Sequence, residues 1–551
     1  MLLGSCSGDP EPLSGVLITL DTTRQDALGC YGARAGLTPA LDTLAKESVV
    51  FDAARAVTPL TTPSHASMLT GLYPPRHTVR DNHLMRLPES ADTLAERASD
   101  AGLQTGAFVA AVVLDESFGL AQGFATYDQP TRDANDPRAN FAERTAPVVV
   151  DEAISWLRRL ERERPFFLWV HLFDPHAPHE AAPEHLARAA GNRYLAEVAR
   201  LDDEIGRLLA ELTVSGRLDR TLVAVVGDHG EGLGDHGEAT HGCFVYDATL
   251  KVPFLLRDPG GYGAGTRVAT PVSVADVFPT FVEALGLVPN SDVDGISLFR
   301  RAPDAGRGVY FESYYGFIKF GWEPIVGWVD AGGKVVHAGR TFLYEPHLDA
   351  RETRELTAAA GSEDELTSRL APYRSAIQEV HDATPLDRER VAGADAELLE
   401  SLGALGYVAA GDSLPSLPTP FEVDEGPERP SPYDRIDVLN RFLKATDLGL
   451  HGHYAEAVEG LAAIVAEDPG NASASDYLGF FLMQEGRHAE AKELFERLVA
   501  GGTARANTIY NLGVCYEKLG EEGRALEHYQ RALSLDPGHV GAQRDVARLG
   551  G

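Results

Sequence analysis

Cysteine is scarce in this chain. Cys6, Cys30, Cys243 and Cys515 are widely spaced and no two form a CxxC pair, which argues against a disulfide framework or a thiolate zinc site. Long apolar runs are also missing. No stretch approaches the roughly 18 consecutive apolar residues of a membrane-spanning helix. Basic residues are outnumbered, 49 Lys and Arg against 82 Asp and Glu, giving a net charge of −33. That balance disfavours a nucleic-acid partner, since no basic surface is available to displace counterions from phosphates. It would also repel an anionic substrate, so anion chemistry must rest on local positive charge, most simply a bound metal.

What is present suffices for more than one domain. The 551 residues, 44% of them hydrophobic, can bury a large core without covalent staples. From Ser14 to Val408 short apolar runs alternate with amphipathic stretches, which predicts an α/β domain with a largely parallel sheet over 14–408. "GVLITLD" (Gly15 to Asp21), "PFFLWVHLFD" (Pro165 to Asp174) and "TLVAVVGDHG" (Thr221 to Gly230) read as buried strands with acidic residues at their ends. Ligand sites of open α/β sheets lie beyond the carboxyl ends of strands, so these three ends should converge. A Pro- and acid-rich stretch follows and reads as a linker over 409–435. Over 436–551, Gly452, Gly486 and Gly520 begin similar segments 34 residues apart, with small residues at Ala457, Ala491 and Ala525. This resembles about three tetratricopeptide repeats, an all-α array whose groove takes a protein segment.

"VTPLTTPSHASMLTG" (Val57 to Gly71) reads as a loop entering a helix. Thr62 is placed to cap a helix beginning at Pro63, and Thr61 then sits at a helix N-terminus, which favours an anion. Taken alone, the stretch favours a capping role. Other segments add chemistry: Asp21 at one strand end, Asp228 and His229 at another, and His171, Asp174, His176, His179 and His241 nearby. Ionised carboxylates are rarely buried unpaired, so an Asp-His pair beyond a buried strand suggests a site.

"TPSHASMLTG", "GDHGEGLGDHG", "KVPFLLRDPG" and "VADVFPTFVEALGL" followed by "DGISL" together resemble the sulfatase family of the alkaline phosphatase superfamily over residues 14–408. The resemblance implies a mostly parallel sheet flanked by helices, with a smaller C-terminal subdomain. It also marks departures: Thr61 stands where the family has the cysteine converted to formylglycine, His65 where it has arginine, and His229 where it has asparagine. The implied metal ligands are Asp21, Asp228 and His229, and their imidazole favours zinc or manganese over calcium. Thr61 becomes the nucleophile, and His65 contacts substrate or orients Thr61. His176 and His241 hold an ester oxygen or act as general acid. Alternatively, Asp174, His176 and His241 build a second metal site, so one or two ions are expected. Arg24 and Asn82 are weaker candidates for substrate contact.

The leading expectation is a metal-dependent hydrolase of phosphate or phosphonate esters, with sulfate esters also in range. Two alternatives stand beside it: a transferase of phospho-headgroups to a lipid or glycan, and a sulfatase-like pseudoenzyme scaffold whose repeats bind protein. "LLGSC" resembles a bacterial lipobox, so a lipid anchor at Cys6 and a periplasmic or membrane-anchored location are expected, with the cytoplasm as the alternative.

Overall fold

The computed structural model describes residues 13–130, 143–289, 292–357, 363–390, 417–421 and 429–550. Cys6 and most of the 409–435 stretch fall outside them. Among these residues no helix is long and apolar enough to cross a membrane.

The main sheet has eight strands: β1 (Ser14–Leu20), β2 (Val49–Phe51), β3 (Gln104–Phe108), β4 (Thr126–Asp128), β5 (Phe166–Leu172), β6 (Thr221–Gly227), β7 (Phe254–Arg257) and β8 (Arg267–Val268). Their spatial order is β8-β2-β7-β6-β1-β5-β3-β4. β1, β3, β4, β5 and β6 run parallel, and β7 pairs antiparallel with both β6 and β2. All seven residues of β1, β5 and β6 are buried, as the continuous apolar runs require of strands covered on both faces. A second sheet holds β9 (Val309–Ser313), β10 (Ile325–Asp330), β11 (Gly333–His337) and β12 (Thr341–Tyr344) in an antiparallel meander.

The helices that position the site are α1 (Thr61–Thr70), α2 (Ala146–Arg159), α3 (Arg193–Val214) and α4 (Tyr315–Phe320). The C-terminal array follows as α5 (Ile436–Leu450), α6 (Tyr454–Glu467), α7 (Ala472–Gln484), α8 (His488–Ala500), α9 (Ala506–Lys518), α10 (Glu522–Leu535) and α11 (Val540–Leu549). The repeating glycines Gly452, Gly486 and Gly520 each adopt a left-handed φ, between +76° and +84°, at the turn inside a helix pair. Only glycine takes that conformation without strain. Ala457, Ala491 and Ala525 are fully buried between helices.

The array rests on the α/β domain. Phe442 of α5 packs edge-on against Phe320 of α4 at 5.3 Å. The Ser473 hydroxyl donates to the Lys319 carbonyl at 2.6 Å, and the Asn440 amide donates to the Gly237 carbonyl at 2.6 Å. Just before α5, Tyr433 stacks on Phe244 at 4.7 Å.

Candidate active site

Sheet register builds the centre of the site. Leu20 lies level with Leu172 and with Gly227, so the residues just beyond β1 and β6 emerge side by side. The Asp21 amide donates to Leu172 and the Asp228 amide to Leu20. One ligand-bearing atom from each of Asp21, Asp228 and His229 falls within 4.8 Å of the others, and all three residues are fully buried. Gly230, directly after, must be glycine: a Cβ there would lie 2.2 Å from the Ala248 carbonyl oxygen. The close approach is made to the protein's own backbone.

Thr61 enters this cluster as the first residue of α1. Its Oγ lies 3.3 Å from Asp21 Oδ2 and 3.3 Å from His229 Nε2. The expected cap is corrected here. Leu60, not Thr62, precedes the helix, and Leu60 has no side chain that can cap it. The Thr62 hydroxyl instead donates to the Val113 carbonyl at 2.7 Å, while the Thr62 amide donates to Asn82 Oδ1 at 2.9 Å. Asn82 therefore fixes the start of the helix.

Hydrogen bonds set the tautomers. His229 donates from Nδ1 to the Gly230 carbonyl at 2.9 Å, leaving its Nε2 lone pair aimed at Thr61 and the carboxylates. Burial pulls its pKa down to about 4. His171 accepts the Ala110 amide at Nδ1 and donates from Nε2 to Asp21 Oδ2 at 3.2 Å. His65 donates from Nδ1 to the Thr61 carbonyl at 2.8 Å and accepts at Nε2 from Thr19 Oγ at 3.0 Å. Thr19 in turn accepts from the Trp169 indole. With burial holding its pKa near 3, His65 is a neutral prop that orients Thr61.

The carboxylates are electrostatically incomplete as they stand. Burial opposes ionisation of Asp21, but the hydrogen bond from His171 and the charge of His229 outweigh it, and the pKa falls. Asp228 moves the other way, raised by burial and by the Asp21 charge beside it. Asp21 Oδ1 and Asp228 Oδ2 are buried without a hydrogen-bond partner. Two adjacent buried carboxylates with free oxygens and an imidazole lone pair make a donor set that fits a divalent cation.

A second histidine group flanks the first. Burial opposes protonation of His241, but Glu231 raises its pKa overall. His241 Nδ1 lies 3.3 Å from the buried Glu231 carboxylate, and its ring sits 4.5 Å from His229 and 5.1 Å from His176. His176 donates from Nδ1 to the Ala177 carbonyl, and its Nε2 is buried and unpartnered. The alternative second metal site at Asp174, His176 and His241 does not assemble. Asp174 turns away, accepting the Ala146 amide at the start of α2 and pairing with Arg200 of α3 at 2.5 Å. Donor atoms of His65, His171 and Asp228 also fall within 4.8 Å, but both His65 nitrogens are already engaged. Arg24 is taken up by Asp26 and Asp235. His171 and Glu231 were given no role by sequence reasoning. The period-2 direction of β5 could have placed His171 beside Asp21, whereas nothing in the spacing marks Glu231.

Residues 15–287 match the sulfatase family, and residues 450–507 and 506–539 match tetratricopeptide repeats. An ulvan-active sulfatase of Formosa agariphila is 30% identical over 331 residues, covering 52% of this chain and 64% of that protein. Human N-acetylgalactosamine-6-sulfatase is 27% identical over 354 residues, covering 53% and 66%. The chain thus spans slightly less than two thirds of the length of these relatives. Among solved structures, a phosphonate monoester hydrolase of Agrobacterium radiobacter superposes with a TM-score of 0.57 at 22% identity, over 67% of this chain and 95% of that one. At that identity the likeness concerns the alkaline-phosphatase-like fold. Thr61, Asp21, Asp228, His229 and the flanking histidines all lie inside the segment that matches the sulfatase family, and the segments that match tetratricopeptide repeats follow it in the chain.

Proposed function

We propose that the chain is a metal-dependent hydrolase of phosphate or phosphonate esters, with sulfate esters also in range, in which Thr61 is the nucleophile. The observation that carries this reading is the position of Thr61 Oγ, 3.3 Å from both Asp21 and His229, against two buried carboxylate oxygens that lack partners. Asp21, Asp228 and His229 would hold the ion, with zinc or manganese favoured by the imidazole. Such an ion supplies charge that lowers the pKa of a hydroxyl and neutralises ester oxygens.

The chain's own residues carry the rest. Thr61 Oγ, its proton released to solvent, attacks the phosphorus or sulfur, and a covalent Thr61 ester forms as the bond to the leaving oxygen breaks. His241, held through Nδ1 by Glu231, gives its proton to that leaving oxygen, and His176 offers its unprotonated Nε2 as a hydrogen-bond acceptor to the attacking water. Water then attacks the same centre and Thr61 leaves with its proton restored. A threonine ester has no second hydroxyl through which to collapse, unlike a formylglycine hydrate, which favours phosphoryl over sulfuryl substrates. That the phosphonate monoester hydrolase shares the fold is consistent with this preference.

The test is turnover of aryl phosphate, phosphodiester, phosphonate and sulfate by chain reconstituted with zinc, manganese or calcium, alongside Thr61→Ala. Phosphoester turnover lost in Thr61→Ala, with a phosphate mass adduct on Thr61 in quenched wild-type protein, is the expected result. Ester turnover that survives Thr61→Ala overturns it. The same proposal has the repeats hold a protein segment and places the protein in the periplasm, lipid-anchored through Cys6. Fatty-acid labelling that fails to mark Cys6 in cells would remove the anchor.

A further inference from the structure

The segment between β6 and β7 folds back on itself and carries both members of the Glu231–His241 pair. The Gly232 amide donates to the Thr240 carbonyl at 2.7 Å and the Gly234 amide to the Glu238 carbonyl at 2.8 Å. The buried Glu238 carboxylate accepts the Cys243 amide at 2.8 Å and the Phe244 amide at 3.1 Å. These bonds tie residues 231–244 into one clip. A displacement at its tip or its base is therefore transmitted to His241, whose Nδ1 lies 3.3 Å from Glu231.

Part of the support for this clip is internal to the α/β domain. Arg24 donates to Asp235 at 2.8 Å and to the Glu231 carbonyl at 3.3 Å, and the Ser313 hydroxyl donates to the Gly242 carbonyl at 2.5 Å. Another part comes from the first helix of the C-terminal array and the turn leading into it. At the tip, Asn440 of α5 donates to the Gly237 carbonyl at 2.6 Å, and a Cβ on Gly237 would meet Ile436 of the same helix at 3.7 Å. At the base, Tyr433 stacks on Phe244 with the ring planes 14° apart. Between them, a Cβ on Gly242 would lie 3.4 Å from both Leu60, which precedes Thr61, and the Tyr315 ring. The Tyr315 hydroxyl accepts from Lys319 at 3.2 Å. Lys319 is only 5% exposed and sits 5.0 Å above the Phe442 ring of α5.

The composition of the clip makes these outside contacts matter. Gly232, Gly234, Gly237 and Gly242 give it little side-chain packing of its own, and glycine loses more conformational freedom on ordering than any other residue. A general acid works only within hydrogen-bond reach of the oxygen it protonates, and a misplacement of about 1 Å can cost about a hundredfold in rate.

We propose that Asn440 and Tyr433 are positioning residues for His241: they hold the clip at the place where His241 protonates the leaving oxygen of an ester on Thr61. The first repeat helix is thereby part of the construction of the site. This rests on the reading of His241 as the leaving-group acid. The contribution of the array is largest for esters of alkyl alcohols, whose oxygen is too basic to depart without a proton, and smallest for esters of activated phenols.

The test uses the full chain and two aryl esters of the same acid, one releasing a nitrophenol and one releasing unsubstituted phenol. The readout is kcat/KM, which covers the step in which the leaving oxygen departs. Asn440→Asp keeps the side-chain shape but lacks the donor, and Tyr433→Ala removes the stacked ring. In both, the phenol ester should lose about tenfold or more while the nitrophenol ester changes by less than about twofold, with metal content unchanged. Tyr433→Phe, whose missing hydroxyl has no hydrogen-bond partner in the wild type, should match wild type on both esters. Equal losses on the two esters, or no loss on either, overturn the inference. His241→Ala separates it from the reading beneath it. If that variant treats the two esters alike, His241 is not the acid and both readings fall. If it singles out the phenol ester while Asn440→Asp and Tyr433→Ala do not, the positioning role alone falls.

Discussion

At the scale of single residues, Thr61 and Lys319 carry the sharpest expectations. Thr61→Ser keeps a hydroxyl between Asp21 and His229 and should retain measurable phosphoester turnover. Thr61→Ala should lose about 10³-fold or more in kcat, with residual activity from binding and electrostatics alone. Equal losses in the two variants would show that the hydroxyl is not the attacking group. Lys319 gives a pH signature. Its folded pKa of about 7 lies below the ordinary lysine value near 10.4, so between those values the unfolded chain binds the extra proton. Stability from this group therefore rises with pH across that window, and its penalty is complete below about pH 7. Lys319→Met should melt higher than wild type at pH 7, with the gap narrowing toward pH 10; a gap independent of pH contradicts a depressed lysine. Much of the site could be read from the sequence because Asp21, Asp228 and His229 sit next to strand ends. Asp174 could not, since its pairing with Arg200 depends on how α3 crosses the sheet. Lys319 left no trace in the sequence, because its burial is created by Phe442, more than a hundred residues away.

At the scale of elements, turns and contacts decide what can change. Gly230→Ala would drive a Cβ to 2.2 Å from the Ala248 carbonyl and displace the loop carrying Asp228 and His229. It should cost about 1–3 kcal/mol and weaken metal binding, measured by thermal melting and by metal titration. Gly523, near the start of α10, meets nothing within 4 Å. Gly523→Ala should therefore be neutral or stabilising by up to about 1 kcal/mol, and a large destabilisation there would contradict the packing described for the repeats. The three central strands were legible because continuous apolar runs ending in acid admit few other structures. The 34-residue period was legible because each repeat reuses the same glycine and alanine. The start of α1 was not: threonine and proline fit several helix boundaries, and Thr62 is fixed by partners at Asn82 and Val113 that local sequence does not reveal.

At the scale of the whole molecule, the net charge of −33 sets a long-range repulsion against anionic substrates. Added salt screens it, so kcat/KM for an anionic aryl ester should rise between about 20 and 200 mM salt, chiefly through KM; a steady fall would mean that local cations dominate the approach. The sequence showed two kinds of architecture in succession but gave no sign that they touch, because the joining contacts come from residues scattered among otherwise ordinary motifs. Those contacts at Gly237 and Phe244 fall on both sides of His241 in the chain. The chain should accordingly melt as one cooperative unit in calorimetry, not as a domain with an independent tail. Cutting at the Pro-rich stretch would then release no intact α/β domain: the fragment would lose the contacts at Gly237 and Phe244 and expose the aromatic face of α4 to water.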